Sequence, residues 1–360
     1  MREFSPVFVQ MKFSFDCEEW MSIKLLNIKY KFLILDSSKN LLMYCLAMTL
    51  LFVGSLEAIE EATISSIEVN HERNWYNPQL SREENFKTLI ELANKSPTGA
   101  KIIEEAQLKA SKQGQTLMDI LLVGEGSLTD TTLVRRFKAH DPTIIDYELK
   151  SKVQISRHAK LLDAVLDFTH ELTHYSFREA FNPYSTQFSH PEFLKSTVEG
   201  VGGEVDAYLV ECKVLKELLP KQFLSRSQCF RVFDKTNNEF SKELAKQEFY
   251  KVGPHLKEVE KDLDLFSKDD LLINEVKSKM SPSGPTFLSS AWQMPYPLAA
   301  SFEYKNIMSK VCKNDFNRMG FLKEKIERFP ASVEEKQQRE RSLIIFEDYK
   351  KRCEFFSKNS

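Results

Sequence analysis

Residues 170–174 read His-Glu-Leu-Thr-His, and they lie in a segment, 158–181, whose apolar residues recur at the spacing of an amphipathic helix. In an α-helix, residues i and i+4 lie one above the other, so His170 and His174 can present two imidazole nitrogens to one metal ion. Glu171 lies beside them, where it can take a proton from a metal-bound water molecule. The motif therefore predicts a helix that carries a zinc site.

A catalytic zinc ion needs a third protein ligand and one open position. Glu204 is the predicted third ligand, because it begins a second helical segment directly after Gly202 and Gly203, where the backbone can approach closely. Three other side chains remain alternatives for this position: Glu199, Asp206 and His190.

The segments around the motif predict a fold that is mostly helical. Residues 80–139 have helical spacing, residues 144–155 alternate in part and predict a strand, and residues 221–360 are mostly helical in character. The sequence therefore predicts a predominantly helical α+β fold with a small sheet next to the motif helix.

An uncharged stretch near the start of the chain predicts export. The chain has no charged residue between Lys39 and Glu57, and this stretch is short for a bilayer span and ends in small residues that suit a signal peptidase. We predict a signal peptide near residues 21–58, with Met21 as the better start, and hence a secreted or periplasmic protein. The alternative is that the same segment stays uncleaved and anchors the protein in the membrane.

Removal of this leader would take two of the six cysteines with it. The four that remain, Cys212, Cys229, Cys312 and Cys353, are an even number in an oxidising compartment, which predicts two disulfides. Pairing of nearest neighbours, 212 with 229 and 312 with 353, is one of three possibilities, and spacing does not choose between them.

Composition excludes some classes of protein. The chain has 50 basic and 52 acidic residues and a net charge of −2, so it lacks the basic surface that nucleic-acid binding requires. It is 42% hydrophobic and contains 27 Phe, which is enough apolar surface to form a core.

The HELTH motif at 170–174, followed by Glu204-Val205-Asp206-Ala207 at the start of a second helix, resembles the gluzincin branch of the zincin metallopeptidases. The resemblance implies that His170, His174 and Glu204 bind zinc and that Glu171 is the general base and acid. It also implies a zincin-like core in which the strand at about 147–155 is an edge strand that binds an extended peptide.

An enzyme of this kind stabilises the oxyanion with the metal and with a Tyr, His or Arg donor. Four side chains are candidates for this donor: Tyr184, His190, Tyr208 and Tyr250. The aromatic and proline-rich loop that contains Trp292 and Tyr296 is a candidate wall of the substrate cleft.

The sequence thus predicts four regions. They are a leader at 1–55, a helical region at 56–140 that is a possible propeptide, a catalytic core at 141–225, and a helical C-terminal region at 226–360. The predicted function is that of an exported zinc metallopeptidase acting on peptides or proteins, without nucleic acid and without a stable membrane partner once the leader is cleaved. The alternative is a secreted helical binding or structural protein in which the metal motif is incidental or structural.

Overall fold

A short mixed sheet and a set of helices around it form the part of the chain that is described. The computed structural model describes residues 72–138, 144–185, 187–225, 227–267, 269–328 and 332–358. All of them belong to one compact unit, Thr63–Ser360. The predicted leader at 1–55 and its cleavage region lie outside the described residues.

Three helices come first in this part of the chain: α1 (Arg82–Ala93), α2 (Pro97–Lys112) and α3 (Leu117–Ile120). Ser81 starts α1 through a capping box, since its hydroxyl accepts from the amide of Glu84 while the Glu84 carboxylate accepts from the amide of Ser81. The helical spacing predicted from residue 80 is therefore confirmed as far as residue 120.

Three strands follow: β1 (Leu121–Gly124), β2 (Leu128–Phe137) and β3 (Ile145–Ser156). Their order in the sheet is β1-β3-β2, with β1 parallel and β2 antiparallel to β3. The predicted strand at 144–155 is confirmed, but the prediction of a helical region up to residue 140 is wrong for 121–137. The side chains of β2 alternate and pair residue by residue with β3, and this pairing outweighs local helical spacing.

The resemblance implied that the strand at 147–155 is an edge strand, and this holds only in part, because within the described residues 147–152 pair with β2 alone whereas 153–155 have strand neighbours on both sides. β2 pairs with β3 along its whole length, and β1 pairs with the last four residues of β3 on the other side. The strand with a free edge on the side of the candidate site is β2, which pairs only with β3 within the described ranges. β2 and β3, which pair with each other, lie on either side of the expected boundary between residues 140 and 141.

Three helices carry the predicted site and its surroundings: α4 (Leu161–Phe177), α5 (His190–Glu199) and α6 (Glu204–Leu218). The motif helix predicted over 158–181 is confirmed as α4, which contacts β3 on one side and α6 on the other. Its apolar residues at helical spacing are buried, including Val165, Phe168 and Leu172.

The remaining chain is mostly helical, as predicted. Its elements are α7 (Pro220–Ser225), α8 (Ser227–Arg231), the two-residue strands β4 (Phe233–Asp234) and β5 (Glu239–Phe240), α9 (Lys242–Phe249), a 3₁₀ turn (Gly253–His255), α10 (Leu256–Phe266), α11 (Asp270–Lys279), α12 (Tyr296–Arg328) and α13 (Val333–Lys358). None of the described helices combines the length and the apolar character needed to cross a bilayer.

The main hydrophobic core contains buried residues from Trp75 to Cys353, so segments from both ends of the described chain contribute to it. Two disulfides reinforce this packing. Cys212–Cys229 connects α6 with α8, and Cys312–Cys353 connects α12 with α13, with Cα–Cα distances of 5.5 Å and 5.6 Å. The predicted number of disulfides is confirmed, and the pairing is that of nearest neighbours. Disulfides persist in oxidising compartments, so these pairs indicate an extracellular or secreted protein.

Candidate metal centre

The helices α4 and α6 bring three side chains together at a possible metal-binding group. The Nε2 atoms of His170 and His174 lie 3.1 Å apart. One carboxylate oxygen of Glu204 lies 3.5 Å from His170 Nε2, and the other lies 3.5 Å from His174 Nε2. One ligand atom from each residue can be chosen so that all three lie within 4.8 Å of one another. Two imidazoles and a carboxylate are a donor set that binds zinc and other divalent transition metals.

The backbone of the loop before α6 fixes the orientation of His174. Its Nδ1 atom lies 2.8 Å from the carbonyl oxygen of Gly202, which can only accept, so Nδ1 donates this hydrogen bond and Nε2 is the ring nitrogen that faces the metal-binding group. Gly202 adopts φ +66°, and a Cβ atom there would lie 2.5 Å from the backbone nitrogen of Arg178. Only glycine fits this position, and the glycine is therefore part of the site.

A carboxylate on α6 lies against the other histidine. Glu211 Oε2 is 3.5 Å from His170 Nδ1, the ring nitrogen that faces away from Glu204. Burial alone would lower the pKa of His170, but the Glu204, Glu211 and Glu171 carboxylates outweigh burial and raise this pKa well above its usual value. Both histidines thus have an acceptor at Nδ1 and direct Nε2 towards Glu204.

Glu204 is ionised in this environment. Burial would raise its pKa, but His174 and His170 outweigh burial and hold the pKa of Glu204 well below its usual value. A carboxylate that stays charged is able to act as a ligand without first losing a proton.

Glu171, the predicted general base, is buried beside the histidines and is held by the sheet. The Thr129 hydroxyl, on β2, lies 2.8 Å from the Glu171 carboxylate and 2.8 Å from its backbone carbonyl oxygen. Asp167 lies one turn before Glu171 on α4, and it accepts a hydrogen bond from the Ser127 hydroxyl at 2.5 Å. Burial raises the pKa of Asp167 to about 6, with Ser127 opposing the shift. The start of β2 therefore contacts two acidic residues of the motif helix.

Tyr296, which the sequence suggested only as part of the cleft wall, lies beside the metal-binding group. Tyr296 begins α12, and its hydroxyl lies near the Glu204 carboxylate. Burial raises the pKa of Tyr296 well above its usual value, and the negative charges of Glu204, Glu211 and Glu171 raise it further. The hydroxyl stays protonated and can donate. The only sequence signal for it was the aromatic and proline-rich loop that ends at 297.

The predicted oxyanion donors lie elsewhere or are engaged in packing. Tyr208 packs against Phe249 and Phe287, with ring centroids 5.6 Å and 4.5 Å away. His190 is fully buried, and its Nε2 atom lies 2.9 Å from the Ser301 hydroxyl. The structure therefore supports a packing role for Tyr208 and places His190 in the core, because both are enclosed by aromatic rings.

The other two candidates also have different partners. The Tyr250 hydroxyl donates to Glu199 at 3.4 Å. Tyr184 lies in the wall of the cleft, but the Arg135 guanidinium covers its ring at 3.5 Å, and its hydroxyl accepts from Asn314 at 3.4 Å.

The alternatives to Glu204 as a ligand are used in other interactions. Glu199 is paired with Lys279 at 2.5 Å. Asp206 is paired with Lys242 at 2.6 Å and accepts from the amide of Gly202 at 3.1 Å, so it supports the glycine loop.

A cleft of about 1010 Å³ adjoins the metal-binding group. One wall is β2 at Thr129–Leu133 together with Leu149 and Ser151 of β3, the opposite wall is α12, and His174 and Trp292 also line the cleft. The expectation that Trp292 lines a cleft is met. Within the described ranges β2 has a strand neighbour on one side only, and such a free edge can pair with an extended chain.

Comparison of the chain with known protein families, curated proteins and solved structures finds no match.

Proposed function

We propose that this protein is an exported zinc-dependent metallopeptidase. The observation that carries the proposal is the convergence of His170, His174 and Glu204 beside a buried Glu171 at the end of a cleft. The donor set fits zinc, because both Nε2 atoms are directed at Glu204 while both Nδ1 atoms have acceptors.

A zinc ion held by these three residues would acidify a bound water molecule and polarise a peptide carbonyl. Glu171 accepts the proton of the attacking water and delivers it to the leaving amine. Thr129 restrains Glu171 during both transfers, since its hydroxyl donates to the Glu171 carboxylate. The Tyr296 hydroxyl is placed to donate to the oxyanion that develops on the carbonyl oxygen, because it lies near the Glu204 carboxylate.

The substrate is an extended peptide that adds to the free edge of β2. Main-chain hydrogen bonds to Thr129–Leu133 would give affinity, and the side chains that line the cleft would give specificity. The edge proposed to bind the substrate is thus that of β2, while Leu149 and Ser151 of the segment at 147–155 line the same cleft.

The test is to measure zinc content and peptide hydrolysis in the same purified protein. We expect one zinc per chain and hydrolysis of a peptide library that a chelator abolishes. Glu171→Gln removes the base but no ligand, so it should abolish turnover and keep zinc, whereas His174→Ala should lose both. Asp163→Asn, at an exposed acid on the same helix, is the matched control and should keep both.

Two outcomes would refute the proposal. Hydrolysis by the Glu171→Gln variant at the wild-type rate would remove Glu171 from the mechanism. Protein purified without metal, or with zinc that supports no hydrolysis of any peptide, would favour the alternative of a helical binding or structural protein.

Export is the remaining part of the proposal. The two disulfides support an oxidising compartment, and a signal peptide near residues 21–58 would deliver the chain to it. Sequencing of the amino terminus of the mature protein tests this, since a start between residues 54 and 60 is expected after cleavage.

A further inference from the structure

The two walls of the cleft meet at Arg135. This residue is six positions after Thr129 on β2, and its guanidinium pairs with Asp315 of α12 at 2.7 Å. The same guanidinium covers the ring of Tyr184 at 3.5 Å, and the Tyr184 hydroxyl accepts from Asn314. β2, the loop that contains Tyr184, and α12 are therefore in contact at Arg135.

This contact is a buried one. The side chains of Arg135 and Asp315 are 7% and 2% exposed, so the ion pair is closed to solvent. A second cation on α12 lies close by, since the Arg318 guanidinium covers the ring of Phe137 at 4.1 Å. Arg135 lies on the same face of β2 as Thr129, Thr131 and Leu133, which line the cleft, so a peptide between β2 and α12 cannot continue past Arg135 without breaking these contacts.

Glu171 would act at the peptide bond that is cleaved, and it is hydrogen-bonded to Thr129 of β2. Thr129 therefore marks the place along β2 where the cleaved bond would lie. β2 lines the cleft from Thr129 to Leu133, and Tyr184, which the Arg135 guanidinium covers, lines it together with Asn314 at that end. An extended chain advances roughly 3.4 Å per residue, so about four substrate residues fit between Glu171 and the closed end.

We propose that the site cleaves peptides only within about four residues of one free chain end, because the contact of Arg135 with Asp315 and Tyr184 closes one end of the cleft. The inference rests on the proposed function and names its substrate class as linear peptides with an accessible terminus. The reaction is hydrolysis: the C–N bond breaks, a C–O bond to the water oxygen forms, and Glu171 carries the proton from the water to the leaving nitrogen.

The first experiment needs no variant. The zinc-loaded protein is incubated with a library of linear peptides of about 20 residues, and the products are mapped by mass spectrometry. The best substrate is then compared with its head-to-tail cyclic form and with forms blocked by acetylation or amidation. We expect cuts within about four residues of one end of the peptide. Cyclisation should lower the rate of hydrolysis at least about 100-fold. Residues added at that end should lower the rate of cleavage, whereas residues added at the other end should not.

The second experiment opens the closed end. Replacing one member of a buried ion pair leaves the other charge unpaired, so both are replaced by apolar residues, Arg135→Met with Asp315→Leu. This double variant should gain cuts at internal bonds and in the cyclic peptide. The matched control is Arg136→Met with Glu148→Leu, which removes an exposed pair on the opposite face of β2 and should leave the cleavage pattern unchanged.

The outcomes separate the two proposals. Rapid cleavage of the cyclic peptide, or of bonds far from both ends, by the wild-type protein overturns the restriction to chain ends but leaves the peptidase intact. Absence of hydrolysis of every peptide by zinc-loaded protein overturns the proposed function and, with it, this inference.

Discussion

The Thr129 hydroxyl lies 2.8 Å from the carboxylate of Glu171, and this hydrogen bond joins the edge strand of the sheet to the candidate general base. The two residues are 42 positions apart in the chain. The strand that forms the wall of the cleft therefore also restrains the group that would move the proton.

Replacing Thr129 with Val removes this hydroxyl and keeps the shape of the side chain. We expect kcat to fall about 10-fold while zinc content stays the same, because the base loses its orienting partner but no ligand is touched. The control is Thr286→Val, since the Thr286 hydroxyl also donates to a glutamate, Glu248, but Thr286 does not line the cleft. Unchanged kcat in the Thr129 variant would show that the hydrogen bond has no part in turnover.

Tyr296→Phe removes the hydroxyl that lies near Glu204. We expect kcat to fall about 100-fold with little change in KM or zinc content, since a donor to the oxyanion acts mainly in the transition state. Tyr208→Phe is the comparison, because Tyr208 packs against Phe249 and Phe287. If the Tyr208 variant loses kcat and the Tyr296 variant does not, the assignment of the donor is wrong.

Gly202→Ala is expected to disturb both the fold and the metal site. The left-handed backbone at φ +66° costs a non-glycine residue roughly 1–2 kcal/mol, and the close approach to Arg178 adds to this cost. The displaced carbonyl would no longer orient His174, so zinc affinity should fall about 10-fold or more. Gly126→Ala is the control, since a Cβ atom there meets no atom within 4 Å. Unfolding in urea and titration with zinc measure the two effects.

The disulfide between Cys212 and Cys229 should stabilise the helix that carries Glu204. A closed loop of 17 residues predicts a loss of about 3 kcal/mol in the free energy of unfolding when both cysteines are replaced by Ser. Urea unfolding of the double variant, compared with the wild type with and without reductant, gives this difference. Peptide mapping without reduction should recover the 212–229 and 312–353 pairs, and any other pairing would contradict the structure.

His190 should make the protein less stable in acid. Burial lowers its pKa to about 4, against the opposing effect of Asp262, while the pKa in an unfolded chain is about 6.5. Between these values the unfolded state binds the proton and the folded state does not. The free energy of unfolding is therefore unaffected by His190 titration above pH about 6.5. As the pH falls towards 4, this free energy decreases by at most about 3 kcal/mol, because the unfolded state binds the proton.

The variant His190→Gln keeps a hydrogen-bonding group near Ser301 but does not titrate. Its free energy of unfolding should fall less steeply between pH 7 and pH 4.5 than that of the wild type. His158→Gln, at an exposed histidine, is the control. Equal slopes for His190→Gln and the wild type would mean that the buried histidine does not control acid stability.

Much of the site follows from short-range pattern. His170 and His174 lie on one face because they are one helical turn apart. The helix itself can be predicted from the spacing of its apolar residues, which are buried in the structure. The proximity of Glu204 to the two histidines was also predictable, because two glycines before a helix start permit close approach of the backbone, and the carbonyl of Gly202 contacts His174. The two disulfides followed from an even number of cysteines, but their pairing did not.

The errors have a common physical cause. Residues 121–137 have no strand pattern strong enough to outweigh the helical spacing of their apolar residues. They form β1 and β2 because both strands pair with β3 through backbone hydrogen bonds. For the same reason the edge of the sheet could not be assigned before the strand order was known. Chemical type alone made Tyr208 and His190 as suitable as Tyr296, and only packing separates them.

The sequence by itself determined the helix, the placement of its two histidines and of the glutamate between them, and the start of the helix that begins at Glu204, since these depend on contacts within a turn or on one helix start. The tertiary structure alone decided that Thr129 holds Glu171, that Tyr296 lies near Glu204, and that Arg135 closes the cleft against Asp315. Each of these contacts joins segments more than 40 residues apart, and such contacts are set by strand pairing and core packing, which leave no local period in the sequence.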